Sequence, residues 1–237
     1  VQNFASEFSR AAQLVLTGDP DLWAIVVLSL QVSVCAVLIS AVIGMPVGAA
    51  LAVARFPGRR ALIILMNALM GFPPVVVGLL VYLMLSRSGP LGVLELLYTP
   101  TAMIIAQTVL VTPIIAALTR QVVELLAEEY SEQLRSLGVS RLASVPTLLW
   151  DARLALVTAL LAGFGRAIAE VGAVIIVGGN INHVTRVMTT TIALETSKGN
   201  LALALALGAI LIGIAVAVNA MVSALTLRAE QEGLRHA

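Results

Sequence analysis

The chain alternates long apolar runs with short charged segments. Residues 22–54, 61–86, 96–119 and 199–227 carry no charge, giving runs of 33, 26, 24 and 29 residues. A helix of about 20 apolar residues crosses the hydrocarbon core, so each run predicts a span. Residues 154–177 are equally apolar apart from Arg166 and Glu170, and predict a fifth. The run 22–54 is too long for one straight crossing, and Gly44 and Pro46 predict a kink in it. Ahead of it, Phe4, Phe8, Ala12 and Val15 recur at helical spacing among Ser6, Glu7, Ser9, Arg10 and Gln13. That pattern predicts a short helix lying at the membrane surface; a mobile tail is the alternative, because short isolated helices are marginal. The first 18 residues lack the basic start and long apolar core of a signal peptide.

Composition narrows the class. Fifty-nine per cent of residues are hydrophobic and 11% are charged, against about 25% charged in a soluble domain. A soluble enzyme, a disordered chain and a secreted disulfide scaffold are excluded. The expected fold class is an all-α polytopic membrane protein with five transmembrane helices, one transmembrane domain over residues 1–237. The net charge of +1 offers no broad basic surface for nucleic acid. Cys35, the single cysteine, has no disulfide partner in the chain and reads as a small packing residue. His183 and His236 have no cysteine or carboxylate at ligand spacing, so no metal site is expected.

Charge asymmetry sets the orientation. One set of segments holds Arg55, Arg59, Arg60, Arg120, Arg135, Arg141, Arg153, Arg228 and Arg235; the other holds Arg10, Arg87, Arg186 and Lys198. The positive-inside rule then places the N-terminus outside and the C-terminus in the cytoplasm, with 1–20 external and 120–152 cytoplasmic. Residues 120–153 carry nine charges in 34 positions yet stay rich in Leu, Val and Ala. They predict cytoplasmic helices with an apolar face. Such a face needs something to bury it, and a soluble partner is the natural candidate.

Within this segment runs Glu132-Gln133-Leu134-Arg135-Ser136-Leu137-Gly138, then Val139-Ser140-Arg141-Leu142-Ala143. A helix is predicted to end at Gly138 in a left-handed conformation. Ser140 then caps a second short helix, and Pro146 opens a third. The helix–Gly–helix shape resembles the EAA loop of ABC-importer permeases. Gln133 and Leu134 depart from its two alanines, and Trp150-Asp151 from its Leu-Pro pair. Trp150-Asp151-Ala152-Arg153, Gly163-Phe164-Gly165-Arg166-Ala167-Ile168-Ala169-Glu170-Val171-Gly172-Ala173 and Gly178-Gly179-Asn180 look like the oxyanion-importer permeases, the tungstate branch closest. Thr185-Arg186-Val187-Met188-Thr189-Thr190 and Ala193-Leu194-Glu195-Thr196-Ser197-Lys198-Gly199 resemble that branch too. Arg55-Phe56-Pro57-Gly58-Arg59 and Phe72-Pro73-Pro74-Val75-Val76-Val77-Gly78 are similar to the wider molybdate, sulfate and tungstate group. The resemblance covers roughly residues 22–228.

The resemblance implies a type I ABC-importer permease of MetI-like architecture in the cytoplasmic membrane of a prokaryote. It implies a homodimer with two cytoplasmic ATPase subunits docked at 132–147, with Glu132, Gly138, Val139, Ser140, Arg141 and Leu142 as the coupling residues. An extracytoplasmic solute-binding protein would deliver the anion, tungstate first and molybdate next. Transport would run by alternating access, with ATP and Mg on the partner and no cofactor on this chain. No Gly-x-x-x-x-Gly-Lys-Ser/Thr occurs, and Lys198, the only lysine, falls on the expected outer face. A molybdate or sulfate permease is the near alternative; an ion-coupled secondary carrier or a membrane-embedded enzyme is the far one.

Several polar residues fall inside the predicted spans. Arg166 and Glu170 each cost about 2.5–3.5 kcal/mol at mid-membrane. Four apart, they predict a pair on one helix face. It reads either as a pair beside the translocation path or as a static one that fixes packing. Thr101, Thr108, Thr112 and Thr119 form a stripe at spacings of 7, 4 and 7, with Gln107 beside it. Their hydroxyls can donate to a passing oxyanion; the alternative is bonding to their own helix carbonyls. Pro73-Pro74 marks either a cavity-side break or a simple kink.

Overall fold

The computed structural model describes residues 4–236, with side chains described for 6–226. The side chains of Phe4, Arg228, Arg235 and His236 lie outside the described residues. Among the described residues the chain is helical throughout, apart from turns: α1 (Phe4–Leu16), α2 (Pro20–Val53), α3 (Arg59–Met70), α4 (Pro74–Leu85), α5 (Pro100–Glu129), α6 (Ser131–Ser136), α7 (Val145–Asp151), α8 (Arg153–Ile168), α9 (Gly172–Gly178), α10 (Met188–Lys198) and α11 (Leu201–His236). Among the described residues three helices are long and apolar enough to cross a membrane, within α2, α5 and α11, or up to five if each of two bent pairs counts as one span.

The apolar runs place these helices well, but three boundaries differ from expectation. Helix α2 covers nearly all of the run 22–54 with Pro46 inside it, and the differences lie elsewhere. The span predicted over 61–86 is two helices, α3 and α4, whose axes bend by 100°. Pro73 is extended at φ −62° and ψ 122°, and Pro74 opens α4. Two successive residues without an N–H cannot continue a helix, and the residue before a proline avoids the helical region. The span predicted over 154–177 is also broken. Helix α8 ends at Ile168 and α9 starts at Gly172, while α7 and α8 bend by 77°. Helix α5 runs on to Glu129, so the expected cytoplasmic segment begins as a continuation of a span.

Helix α1 forms where the periodicity places it, but its packed side is not the phenylalanine side. Glu7 and Ala11 are buried while Phe8 and Ala12 are exposed. Exposed apolar residues on a helix beside a membrane suit an interfacial position.

The chain divides into two compact units. The first takes the chain up to Ala36, Pro73–Gln107 and Ala167–Val218; the second takes Val37–Phe72, Thr108–Arg166 and the chain from Asn219. In the first unit α4 packs on α9. The two come close because Gly78 faces the backbone of Ala173: a Cβ on Gly78 would lie 2.7 Å from Ala173 Cα. The start of α10 is tied to α2, where Ser29 Oγ accepts the Met188 N–H at 2.8 Å. In the second unit Ala49, Val53, Val123 and Leu148 form a buried cluster that joins α2, α5 and α7.

Candidate functional site

The expected coupling segment, 132–147, runs from within α6 through a turn into the start of α7. Gly138 has φ +65°, a region that costs side-chain-bearing residues and that glycine enters freely. The Gly138 N–H donates to Arg135 O at 3.1 Å, and the Val139 N–H donates to Leu134 O at 3.1 Å. This pair of bonds is a Schellman ending, which satisfies helix carbonyls otherwise left open. The left-handed stop at Gly138 is therefore as the sequence predicts. The second short helix is reduced to a turn over 141–144, with Ser140 Oγ accepting the Ala143 N–H at 3.3 Å. Pro146 sits in the first turn of α7.

The side chains on both sides of that stop point outward. Glu132, Gly138, Val139, Ser140, Arg141 and Leu142 are all exposed. Leu137 is 75% exposed, Leu142 62% and Trp150 70%. Large apolar side chains gathered on a charged segment are the mark of an interaction surface. The Arg153 guanidinium lies 5.5 Å from the Trp150 ring centroid, which steadies that rim.

Behind this segment, within the second unit, lies an ionic knot that sequence reading does not assemble. Arg59 Nη2 donates to Glu124 Oε1 at 2.7 Å, and Arg120 pairs with the other oxygen of Glu124. Arg59 Nε also donates to Leu51 O at 2.7 Å, and its Nη2 to Ala52 O at 3.2 Å. The guanidinium thus covers open carbonyls at the C-terminus of α2, where a cation is favourable. Arg59 and Glu124 stand 65 residues apart, so no local spacing links them. A cleft of about 480 Å³ adjoins the knot.

The intramembrane residues fall into the two units. Thr108, Thr112 and Arg166 belong to the second, and Gln107 and Glu170 to the first. Because α8 stops at Ile168, Arg166 and Glu170 do not share a continuous helix face, contrary to expectation. Glu170 is buried, and its Oε1 accepts the Ala173 N–H at 3.1 Å near the start of α9. A carboxylate there meets open N–H groups and the positive end of the helix. Ala167 O at the broken end accepts the Gln107 Nε2 at 3.1 Å and the Glu170 N–H at 3.1 Å. Thr189 Oγ1 donates to Glu170 O at 2.8 Å. Backbone freed by a break at membrane depth must find partners inside the protein, and these bonds supply them.

The threonine stripe splits into different roles. Thr112 Oγ1 lies 2.7 Å from Thr108 O and 3.2 Å from Ser40 Oγ, so it is engaged by its own helix and by α2. Thr101 is exposed. The hydroxyls of Thr108 and Thr119, and Oε1 of Gln107, are buried without a hydrogen-bond partner among the described residues. Unsatisfied buried polar atoms are costly, which makes Gln107, Thr108 and Thr119 the buried members of the stripe region with hydrogen-bonding capacity left.

On the expected outer side, Glu195 is held below the ordinary carboxylate value of 4.5, first by the bond from Lys198 and then by Asn200, against the opposing effect of burial. Lys198 Nζ lies 3.0 Å and Asn200 Nδ2 2.9 Å from its oxygens. A lowered folded-state value stabilises the fold above the unfolded value and loses that stabilisation as pH falls through the folded value. The unfolding temperature of Glu195→Gln should therefore lie below that of the wild type at pH 7, and the gap should close as pH falls below 4.5. A gap independent of pH would show that the ionised carboxylate is not what stabilises α10.

Among the described residues no group of three His, Cys, Asp or Glu could hold a metal ion. Residues 44–231 match the family model described as binding-protein-dependent transport system inner membrane component. A tungstate uptake system permease protein of Peptoclostridium acidaminophilum is 40% identical over 225 residues, covering 95% of this chain and 99% of the relative. A probable anion ABC transporter permease protein of Haloferax volcanii is 43% identical over 202 residues, covering 83% and 87%. A tungstate uptake system permease protein of Campylobacter jejuni is 35% identical over 165 residues, covering 70% and 69%.

Proposed function

This chain belongs to the family of binding-protein-dependent transport system inner membrane components, and from that membership we propose that it carries tungstate inward as one domain of 237 residues in a homodimer. It is a multi-pass membrane protein and the permease subunit of an ABC importer. The observation that supports tungstate is the 40% identity to a tungstate permease over 95% of the chain. Molybdate and sulfate are the alternatives. Purified transporter reconstituted in vesicles should take up tungstate on addition of ATP, with molybdate competing less well and sulfate least. Preferred uptake of sulfate would overturn the assignment.

In this reading two cytoplasmic ATPase subunits bind ATP and Mg, and an extracytoplasmic binding protein delivers the anion. The ATPases meet the exposed stretch of Glu132, Gly138, Val139, Ser140, Arg141 and Leu142. Their closure moves that stretch and with it the spans. The proposed path residues are Arg166, Thr108 and Thr112 of the second unit and Gln107 and Glu170 of the first. The N-terminus lies outside and the C-terminus in the cytoplasm. Single cysteines in a Cys35→Ser background test this with an impermeant thiol reagent: residue 183 should label from outside and residue 58 should not. Labelling of residue 58 from outside would reverse the orientation.

A further inference from the structure

The cleft beside the Arg59–Glu124 pair has more positive charge than its own carboxylates neutralise. Its lining includes Arg55, Arg59, Glu124, Glu128, Arg135 and Arg141. Arg59 is already paired, and Glu124 is shared between Arg59 and Arg120. Arg55, Arg135 and Arg141 have no ion pair among the described residues, and Glu128 is the one other carboxylate on the wall. Three arginines, one after the end of α2 and two on either side of Gly138, thus line one cavity with a surplus of positive charge.

Position adds a second observation. Arg55 directly follows the charge-free run 22–54, which places it at the level where a span leaves the hydrocarbon. Exposed apolar residues flank it, Phe56 next to it and Leu62, Ile64 and Leu65 on α3. Basic pockets at the cytoplasmic end of spans attract anionic headgroups. The guanidinium fork matches a phosphate or other tetrahedral oxyanion through two parallel hydrogen bonds. The volume of about 480 Å³ lies within the range of small-molecule sites.

We propose that this cleft binds a phosphate-class oxyanion through Arg55, Arg135 and Arg141, supplied either by the headgroup of an anionic lipid or by a free tetrahedral anion. Arg135 and Arg141 stand on either side of Gly138, and Arg55 follows the end of α2. A bound anion therefore braces the exposed stretch against α2 and relieves the repulsion among three like charges. The proposal rests on the reading that residues 131–144 face the cytoplasm, but its test needs no ATPase.

The full chain in phosphatidylcholine nanodiscs is titrated with sodium phosphate, sulfate and tungstate at an ionic strength fixed with chloride. A parallel sample uses phosphatidylglycerol nanodiscs with no added oxyanion. The unfolding temperature is read for the wild type, for Arg55→Gln/Arg135→Gln and for the outer-side control Arg87→Gln. The expected result is stabilisation of the wild type and the control over the chloride and phosphatidylcholine baseline, with at least a tenfold higher half-saturating concentration, or loss of the lipid shift, in the double variant. Stabilisation by phosphatidylglycerol alone identifies a headgroup, and stabilisation by phosphate or sulfate identifies a free anion. No stabilisation in either sample, or equal stabilisation of the double variant, overturns the proposal. If the double variant does not assemble, Arg135→Gln on exposed α6 gives the same reading. Absence of an ATPase from the purified complex would count against the transporter reading and leave these shifts interpretable.

Discussion

Gly48→Val is expected to leave little folded protein in the membrane. A Cβ at residue 48 would lie 2.2 Å from Ala116 O and 3.0 Å from Thr119 Cβ. Neither neighbour can turn aside, since one is backbone and the other a side-chain root within α5. The clash is relieved only by moving α2 away from α5. Gly44 stands one turn earlier on the same face, where a Cβ would lie 3.0 Å from Thr112 O. This Gly-x-x-x-Gly spacing lets two helix backbones approach where lipid supplies no hydrophobic drive for their association. Separation would also stretch the Ser40 Oγ bond to Thr108 O at 3.3 Å and the Thr112–Ser40 contact at 3.2 Å. Overpacking of this kind costs about 1–3 kcal/mol and occasionally more. Gly48→Ala should lower the unfolding temperature clearly, Gly44→Ala less, and Gly48→Val should abolish the monodisperse peak in detergent. Gly213 in α11 is the control, since a Cβ there meets nothing within 4 Å and alanine is the better helix former by about 1 kcal/mol. A wild-type unfolding temperature for Gly48→Val would mean that α2 and α5 do not pack as described.

That contact shows how much of the fold can be read in the sequence. Charge-free runs locate α2, α5 and α11 because desolvating a charge in lipid dominates every other local preference. Gly44 and Gly48 are visible as a pair, but their partner surface on α5 is some 70 residues away and has no local signature. The break at Pro73-Pro74 is visible as a break because proline chemistry is local, although its 100° size is not. The break between Ile168 and Gly172 is not visible at all. The run contains no proline and its only charges are Arg166 and Glu170, and what stabilises the interruption is a set of distant partners, Gln107 to Ala167 O and Thr189 to Glu170 O. The continuous helix expected between Arg166 and Glu170 is absent for that reason: tertiary bonds end α8 at Ile168.

The candidate site divides along the same line. Gly138 and Pro146 were legible because left-handed stops and first-turn prolines are set by the backbone of a few adjacent residues. The threonine stripe was legible only as a face. Periodicity puts Thr108, Thr112 and Thr119 on one side of α5, but it cannot say that Ser40 engages Thr112 and leaves the other two hydroxyls without a partner. Charge counting found residues 120–153 and their sign balance. It could not find the Arg59–Glu124–Arg120 knot, whose members come from two helices that the fold brings together.

Gly138→Val should separate assembly from coupling. The glycine has φ +65° with nothing within 4 Å of an added Cβ, so the substitution meets no steric neighbour and acts only through its backbone. Left-handed backbone costs an L-residue roughly 1–2 kcal/mol, and a β-branched side chain is the least tolerant. That energy shifts a local equilibrium by a factor of about 5–30, enough to undo a Schellman turn held by the Gly138 and Val139 N–H bonds. It is too little to unfold helices buried elsewhere. The variant should insert and melt near the wild-type temperature, because residues 137–142 are exposed and support no core. If the exposed stretch is the ATPase contact proposed above, ATP-driven uptake should fall at least tenfold, since Leu137, Val139 and Leu142 would no longer be presented together. Gly138→Asn, which tolerates left-handed backbone, should retain most uptake, and Gly138→Ala should fall between. This order, valine worst and asparagine mildest, distinguishes a backbone requirement from a requirement for small size, under which alanine would be the mildest. Normal transport-coupled hydrolysis by the Gly138→Val complex would sink the coupling assignment, and the exposed leucines would then need another partner.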